Sequence, residues 1–219
     1  MKTTIARALA PTILMAALAG CSTSPPVHYY TLVVPEAGAA ASAPASRQGT
    51  APYLLEVLPV TVPPQADQPQ IMMRESGGAV AAYYSDRWTA PVADEIRGAL
   101  SYNLVRDLGV PDVQAITAPA AAPVWRVQVD VQRFDAAAGG AAVLDATWRV
   151  RPVNLAGHAL LCRTVVELPL GGSTPALAVA AQQKATAALA ATIAAGIRAG
   201  GARADAAAQP VQLNACGPA

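Results

Sequence analysis

Val124-Trp125-Arg126-Val127-Gln128-Val129-Asp130-Val131-Gln132-Arg133-Phe134 alternates apolar and polar residues along most of its length. Successive side chains of an extended chain point to opposite sides. Trp125, Val127, Val129 and Val131 therefore share one face, and Arg126, Gln128, Asp130 and Gln132 the other. Such a strand has one buried and one solvated face, the signature of an antiparallel sheet. The pattern recurs twice downstream. After Gly139-Gly140, the residues Ala142, Leu144, Ala146, Trp148 and Val150 oppose Asp145, Thr147 and Arg149. After the turn at Asn154 to Gly157, an inward row follows at Leu160, Cys162, Thr164, Val166 and Leu168. Short links between consecutive strands predict an antiparallel meander.

Upstream of this meander, Val92, Ile96, Leu100, Leu104 and Leu108 recur every four residues, with Ala99 and Val105 beside them. That stripe predicts an amphipathic helix from Pro91 to Leu108, with Pro91 suited to its first turn and Gly109 to its stop. Ser76-Gly77-Gly78 reads as a hairpin turn between Gln70–Glu75 and Ala79–Tyr84, because glycine accepts positive φ. Leu54 to Val60 and Tyr29 to Val34 read as two further strands, rich in β-branched and aromatic residues. Downstream, Pro175 to Arg198 reads as an Ala-rich second helix, and from Gly200 onward the chain reads as a loose tail apart from Cys216. The order of elements predicts an α+β domain of two layers, a mostly antiparallel sheet covered by two amphipathic helices.

Composition narrows the classes of function. The 219 residues carry 15 basic and 14 acidic side chains, a formal net charge of +1, which argues against a nucleic-acid binder. Hydrophobic residues make up 53%, yet 52 of the 219 are Ala, so much of that fraction is helix propensity rather than core. Only the N-terminus has a long uncharged run of large apolar groups, which excludes a polytopic membrane protein. That run, Ala8 to Leu18, follows the positive charges of Lys2 and Arg7 and is too short to span a bilayer. It ends in Leu18-Ala19-Gly20-Cys21, which resembles a bacterial lipobox. The resemblance implies cleavage between Gly20 and Cys21, with Cys21 as the acylated residue. Ser22 follows, and the absence of Asp at that position implies sorting to the outer membrane, facing the periplasm. Two or more acyl chains hold a soluble body durably at a membrane. The expected organisation is a signal peptide over 1–20, a lipidated tether over 21–28, a domain over 29–198 with a flexible Ala/Ser/Pro insertion at 35–52, and a tail over 199–219.

An oxidising compartment makes the remaining cysteines, Cys162 and Cys216, a candidate disulfide; the alternative is a buried Cys162 with a free Cys216. Candidate chemistry is otherwise sparse. His28 and His158 lack the context of a catalytic triad, and no Cys/His cluster suggests a metal. The sequence points to no catalytic residue and no cofactor. Asp94-Glu95 reads as a solvated first-turn pair that complements the helix dipole rather than an acid/base couple. Gly196 and Gly200 have GxxxG spacing but lack the apolar segment of a membrane dimer motif. Tyr29, Tyr30, Arg87 and Trp88 divide between two readings, packing within the sheet or a partly exposed partner surface.

Taken in order, the lipobox, Tyr29-Tyr30-Thr31-Leu32, Val57-Leu58-Pro59-Val60-Thr61-Val62-Pro63, Gln70-Ile71-Met72-Met73-Arg74, and Arg87-Trp88 before the first helix resemble the ABC-type transport auxiliary lipoprotein (PqiC-like) family. The likeness runs from Leu18 to about Ile197 and rests on order and spacing. It implies a non-catalytic, lipid-anchored outer-membrane subunit that docks with an MCE-domain protein and ABC transporter components in intermembrane lipid trafficking. A homo-oligomer fits the same picture. The alternative reading is a stand-alone periplasmic lipoprotein that binds a hydrophobic ligand or stabilises the envelope.

Overall fold

The computed structural model describes residues 25–34, 53–206 and 210–219. The lipobox and the 35–52 insertion lie outside the described residues. Among the described residues, eight strands and two α-helices follow in the order β1 (His28–Tyr30), β2 (Leu54–Val57), β3 (Gln70–Arg74), β4 (Val80–Trp88), α1 (Val92–Leu108), β5 (Val124–Ala136), β6 (Ala141–Val153), β7 (Leu160–Pro169), α2 (Pro175–Arg198) and β8 (Val211–Pro218). The class is α+β. The strands divide between two sheets, β1-β4-β3 and β2-β5-β6-β7-β8. Four of the six pairings are antiparallel; β1 on β4 and β2 on β5 are parallel. Both parallel pairs join strands far apart in sequence, so no short turn advertises them.

The meander β5-β6-β7 follows its alternation. Trp125, Val127, Val129, Trp148, Val150, Cys162 and Val166 are buried on one face. The second helix covers that face, and Ala185, Leu189, Ile193 and Ala194 are fully buried beneath it. Its small residues permit close approach. A Cβ added at Gly196 would stand 3.3 Å from the ring of Trp148 and 3.5 Å from Leu160. Gly196 therefore serves helix-on-sheet packing within the domain. The indole N–H of Trp148 donates to Thr164 Oγ1 (2.8 Å), so the one polar atom of this large buried side chain is satisfied. The first helix presents Val92, Ile96, Leu100 and Leu104 to the same core. It ends at Gly109, whose φ of +68° and N–H bond to the Val105 carbonyl (2.9 Å) close the last turn.

Three expectations need correction. The first strand stops at Tyr30, because Thr31 to Val34 leave the sheet to run against α1 and α2. The second strand stops at Val57, since Pro59 has no N–H to donate to a ladder. The tail is not loose. Val211–Pro218 forms β8, an edge strand antiparallel to β7, with Cys162 opposite Cys216 and the two joined by a disulfide. The register skips Ala215, which sits at φ +45° as a bulge residue and turns Cys216 toward β7. Asn, Ala, Gly and Pro give this strand weak intrinsic propensity, so pairing and the covalent clip hold it in place. Among the described residues, no helix is long and apolar enough to cross a membrane.

Candidate functional site

The small sheet meets the large one through β3 and β5. Arg74 bridges to Ala137, and the Arg74 carbonyl accepts from the Ala138 N–H (2.9 Å). Away from this bridge the two strands do not pair, and a groove of about 290 Å³ lies there. Buried Ile71, Trp88, Phe134, Ala178 and Val179 line it, with the loop at Pro63 to Ala66 alongside. Trp88 and Phe134 rings lie 6.1 Å apart at a tilt of 47°. Trp88 is thus a core side chain rather than part of an outer surface.

The groove also carries charge. Arg133 reaches Asp135 with two bonds, Nε at 2.7 Å and Nη2 at 3.0 Å, and Arg74 Nη2 reaches the same carboxylate at 2.6 Å. Two guanidinium groups share one carboxylate. Hydrogen bonding to Asp135 raises Arg133 above the ordinary guanidinium range, with partial burial opposing and Glu167 and Asp145 adding weaker attraction. Asp145 itself takes both bonds of Arg163 (2.9 and 2.5 Å). Gln182, 3% exposed, donates from Nε2 to the Asp135 carbonyl oxygen (2.7 Å). Its Oε1 is buried without a protein partner. An orphaned buried acceptor costs about 1–3 kcal/mol, so such atoms are rare where nothing uses them.

The N-terminal arm forms the second feature. The parallel register sets Tyr29 beside Arg87 and Tyr30 beside Trp88, so the four residues split between the two faces of the small sheet. Tyr29 is 63% exposed and Tyr84 70% exposed; Arg87 Nε donates to the Tyr84 carbonyl (3.0 Å) between them. Tyr30 is half-buried, and its hydroxyl donates to Asp86 (3.0 Å). Desolvation, then the bond and charge of Asp86, hold the Tyr30 phenol above its ordinary range. Beyond β1 the arm is latched. Glu95 Oε2 accepts from Thr31 Oγ1 (2.8 Å) and the Leu32 N–H (2.8 Å), and Glu95 Oε1 accepts from Thr89 Oγ1. Gln183 Nε2 donates to the Thr31 carbonyl (2.8 Å) from the other helix.

Glu95 corrects the expectation of a solvated pair. It is 5% exposed, while Asp94 beside it faces solvent. Positions 95, 99 and 103 lie one turn apart on the helix. The inward reading of Ala99 therefore also places Glu95 and Asn103 inside, a signal the stripe of large residues obscured. Gln182 likewise lies seven residues before Leu189 on the buried face of its helix, but its partner, a backbone carbonyl on a distant strand, had no local signal. His28 lies 3.5 Å from Asp86, and His158 sits at the turn before β7. Neither joins a constellation of catalytic type, and among the described residues no group of His, Cys, Asp or Glu could hold a metal. Gly20 and Cys21 lie outside the described residues.

A family model described as "ABC-type transport auxiliary lipoprotein component" matches residues 30–194. No curated protein sequence matches the chain at a significant level. Two crystal structures share the fold. One, of an uncharacterized protein, has a TM-score of 0.60 at 19% identity and covers 79% of this chain and 99% of its own. The other, a Xanthomonas campestris protein assigned to the DUF330 family model, has a TM-score of 0.52 at 18% identity and covers 68% of this chain and 85% of its own.

Proposed function

Because the chain belongs to the ABC-type transport auxiliary lipoprotein component family, we propose that it is a non-catalytic subunit anchored by acylated Cys21 to the outer membrane. It faces the periplasm there and docks with an MCE-domain protein of an ABC transport system that moves lipid between membranes. The observation that carries the reading is the placement of the arm. The first strand begins at His28, seven residues after the lipobox Cys21. Seven extended residues reach at most about 25 Å, so an acylated Cys21 holds the small sheet close to the bilayer. Thr31 and Leu32 then fasten the same arm to both helices, so the tether pulls on the rigid body of the domain and not on a loose end.

The outward face of the small sheet, with Tyr29, Arg87 and Tyr84, is the docking face in this reading. Exposed aromatic and Arg side chains together are the residue types enriched at partner interfaces. The test is photocrosslinking in intact cells from positions 29 and 84, with Leu161, exposed on the opposite sheet, as a control position. Recovery of an MCE-domain protein from 29 or 84 and not from 161 supports docking; crosslinks of equal yield from all three sites, or none to an MCE-domain protein, refute it. Fractionation of Cys21→Ser tests the anchor. The variant must lose the acyl mass and the outer-membrane fraction, and unchanged fractionation refutes acyl anchoring.

A further inference from the structure

The groove between the sheets has features that docking and anchoring leave unused. We infer that it binds an anionic amphiphile with one hydrocarbon chain and a phosphate head. Three observations converge. Buried Ile71, Trp88, Phe134 and Val179 give a wall for hydrocarbon. The volume of about 290 Å³ sits at the lower end of small-molecule sites and suits one chain, not two. Arg74 and Arg133 share the single carboxylate of Asp135 on the groove wall, which leaves one guanidinium charge there for an anion. Glu167 and Asp145 attract Arg133 more weakly from neighbouring strands, and Asp145 is already paired with Arg163.

The experiment uses the mature chain from Ser22, exported behind a cleavable signal so that the Cys162–Cys216 bond forms; it keeps every described residue. Calorimetric titration compares three twelve-carbon probes below their micellar concentrations. These are lauroyl lysophosphatidic acid, dodecyl phosphate and dodecyltrimethylammonium. The expected result is saturable binding of both phosphates and no saturable binding of the cation. The doubly substituted Arg74→Gln, Arg133→Gln chain binds both anions about tenfold or more weakly. Ala66→Trp, which fills the groove from its loop side, abolishes binding without loss of the far-ultraviolet spectrum. Should Ala66→Trp fail to fold, the arginine variant alone decides. Equal binding of the cation, binding that survives the arginine changes, or absence of binding overturns the inference. So does a dimer of the parent chain that Ala66→Trp dissolves, which would make a second copy the occupant. No membrane or partner is present, so failure here leaves the anchoring and docking reading standing.

Discussion

Replacing Glu95 by Ala removes the acceptor of three hydrogen bonds at once, those from Thr31 Oγ1, the Leu32 N–H and Thr89 Oγ1. The two hydroxyls can rotate toward other partners, and Thr31 is only part-buried. The Leu32 N–H cannot, because Leu32 is 2% exposed and its backbone is packed against the helix. An orphaned buried N–H costs about 1–3 kcal/mol, and loss of bonds to a carboxylate adds about 1.5–3 kcal/mol before relaxation. Non-additivity within one cluster brings the expected loss to about 3 kcal/mol. Glu95→Gln keeps one oxygen for Leu32 and offers an N–H₂ to a hydroxyl that can turn acceptor, so its loss is about 1 kcal/mol. For a domain of this size, a loss of 3 kcal/mol lowers the melting temperature by about 6–12 °C. Guanidinium unfolding gives the global value, and hydrogen exchange on the 25–34 segment gives the local one. In Glu95→Ala the Leu32 amide should exchange about a hundredfold faster than in the parent chain. An Ala variant within 0.5 kcal/mol of the parent, on the order of a neutral surface change, with unchanged Leu32 exchange, would refute the latch.

Reduction of Cys162–Cys216, or Cys162→Ser, opens a loop of 54 residues and should lower stability by about 4 kcal/mol in the chain-entropy view. Intact mass before and after reduction, followed by melting, measures it; a chain already carrying two free thiols sinks the prediction. Gly196→Leu drives a side chain into Trp148 and Leu160 and should destabilise by about 1–3 kcal/mol or prevent folding, seen as a lowered or absent unfolding transition. Tyr30 and Tyr53 both have phenols raised by desolvation. A raised folded value means that stability is complete below the ordinary phenol range and is lost as pH climbs through the folded value, so stability should fall above about pH 10. Tyr30→Phe should flatten part of that alkaline fall, read from chemical unfolding at stepped pH, while losing about 1 kcal/mol at neutral pH with the bond to Asp86.

The long elements were legible because each carries its own periodicity. Residues 124–168 alternate, 92–108 repeat every four, and the structure places β5, β6, β7 and α1 within a few residues of those patterns. Glycines at the hairpins and at Gly109 mark ends where only positive φ fits, and Gly77 and Gly109 do sit at φ +75° and +68°. What escaped was short or non-local. The four residues Leu54–Val57 pair in parallel with Val124–Val127, some 70 positions away. Strand β8 has too little propensity to announce itself. The groove is legible in no window of sequence, since it needs β3, β5, α2 and the 63–66 loop together. Gln182 looks like any polar residue of a helix until the Asp135 carbonyl lies beside it.

Local side-chain periodicity and turn chemistry therefore determined the class and the order of the elements up to the second helix, because these depend on neighbours within a few residues. Tertiary structure alone decided the split into two sheets, the burial of Glu95, the seating of the tail strand and the charge-lined groove. Each arises where segments distant in the chain meet, and a residue's burial, partners and spare bonding capacity exist only once that meeting has occurred.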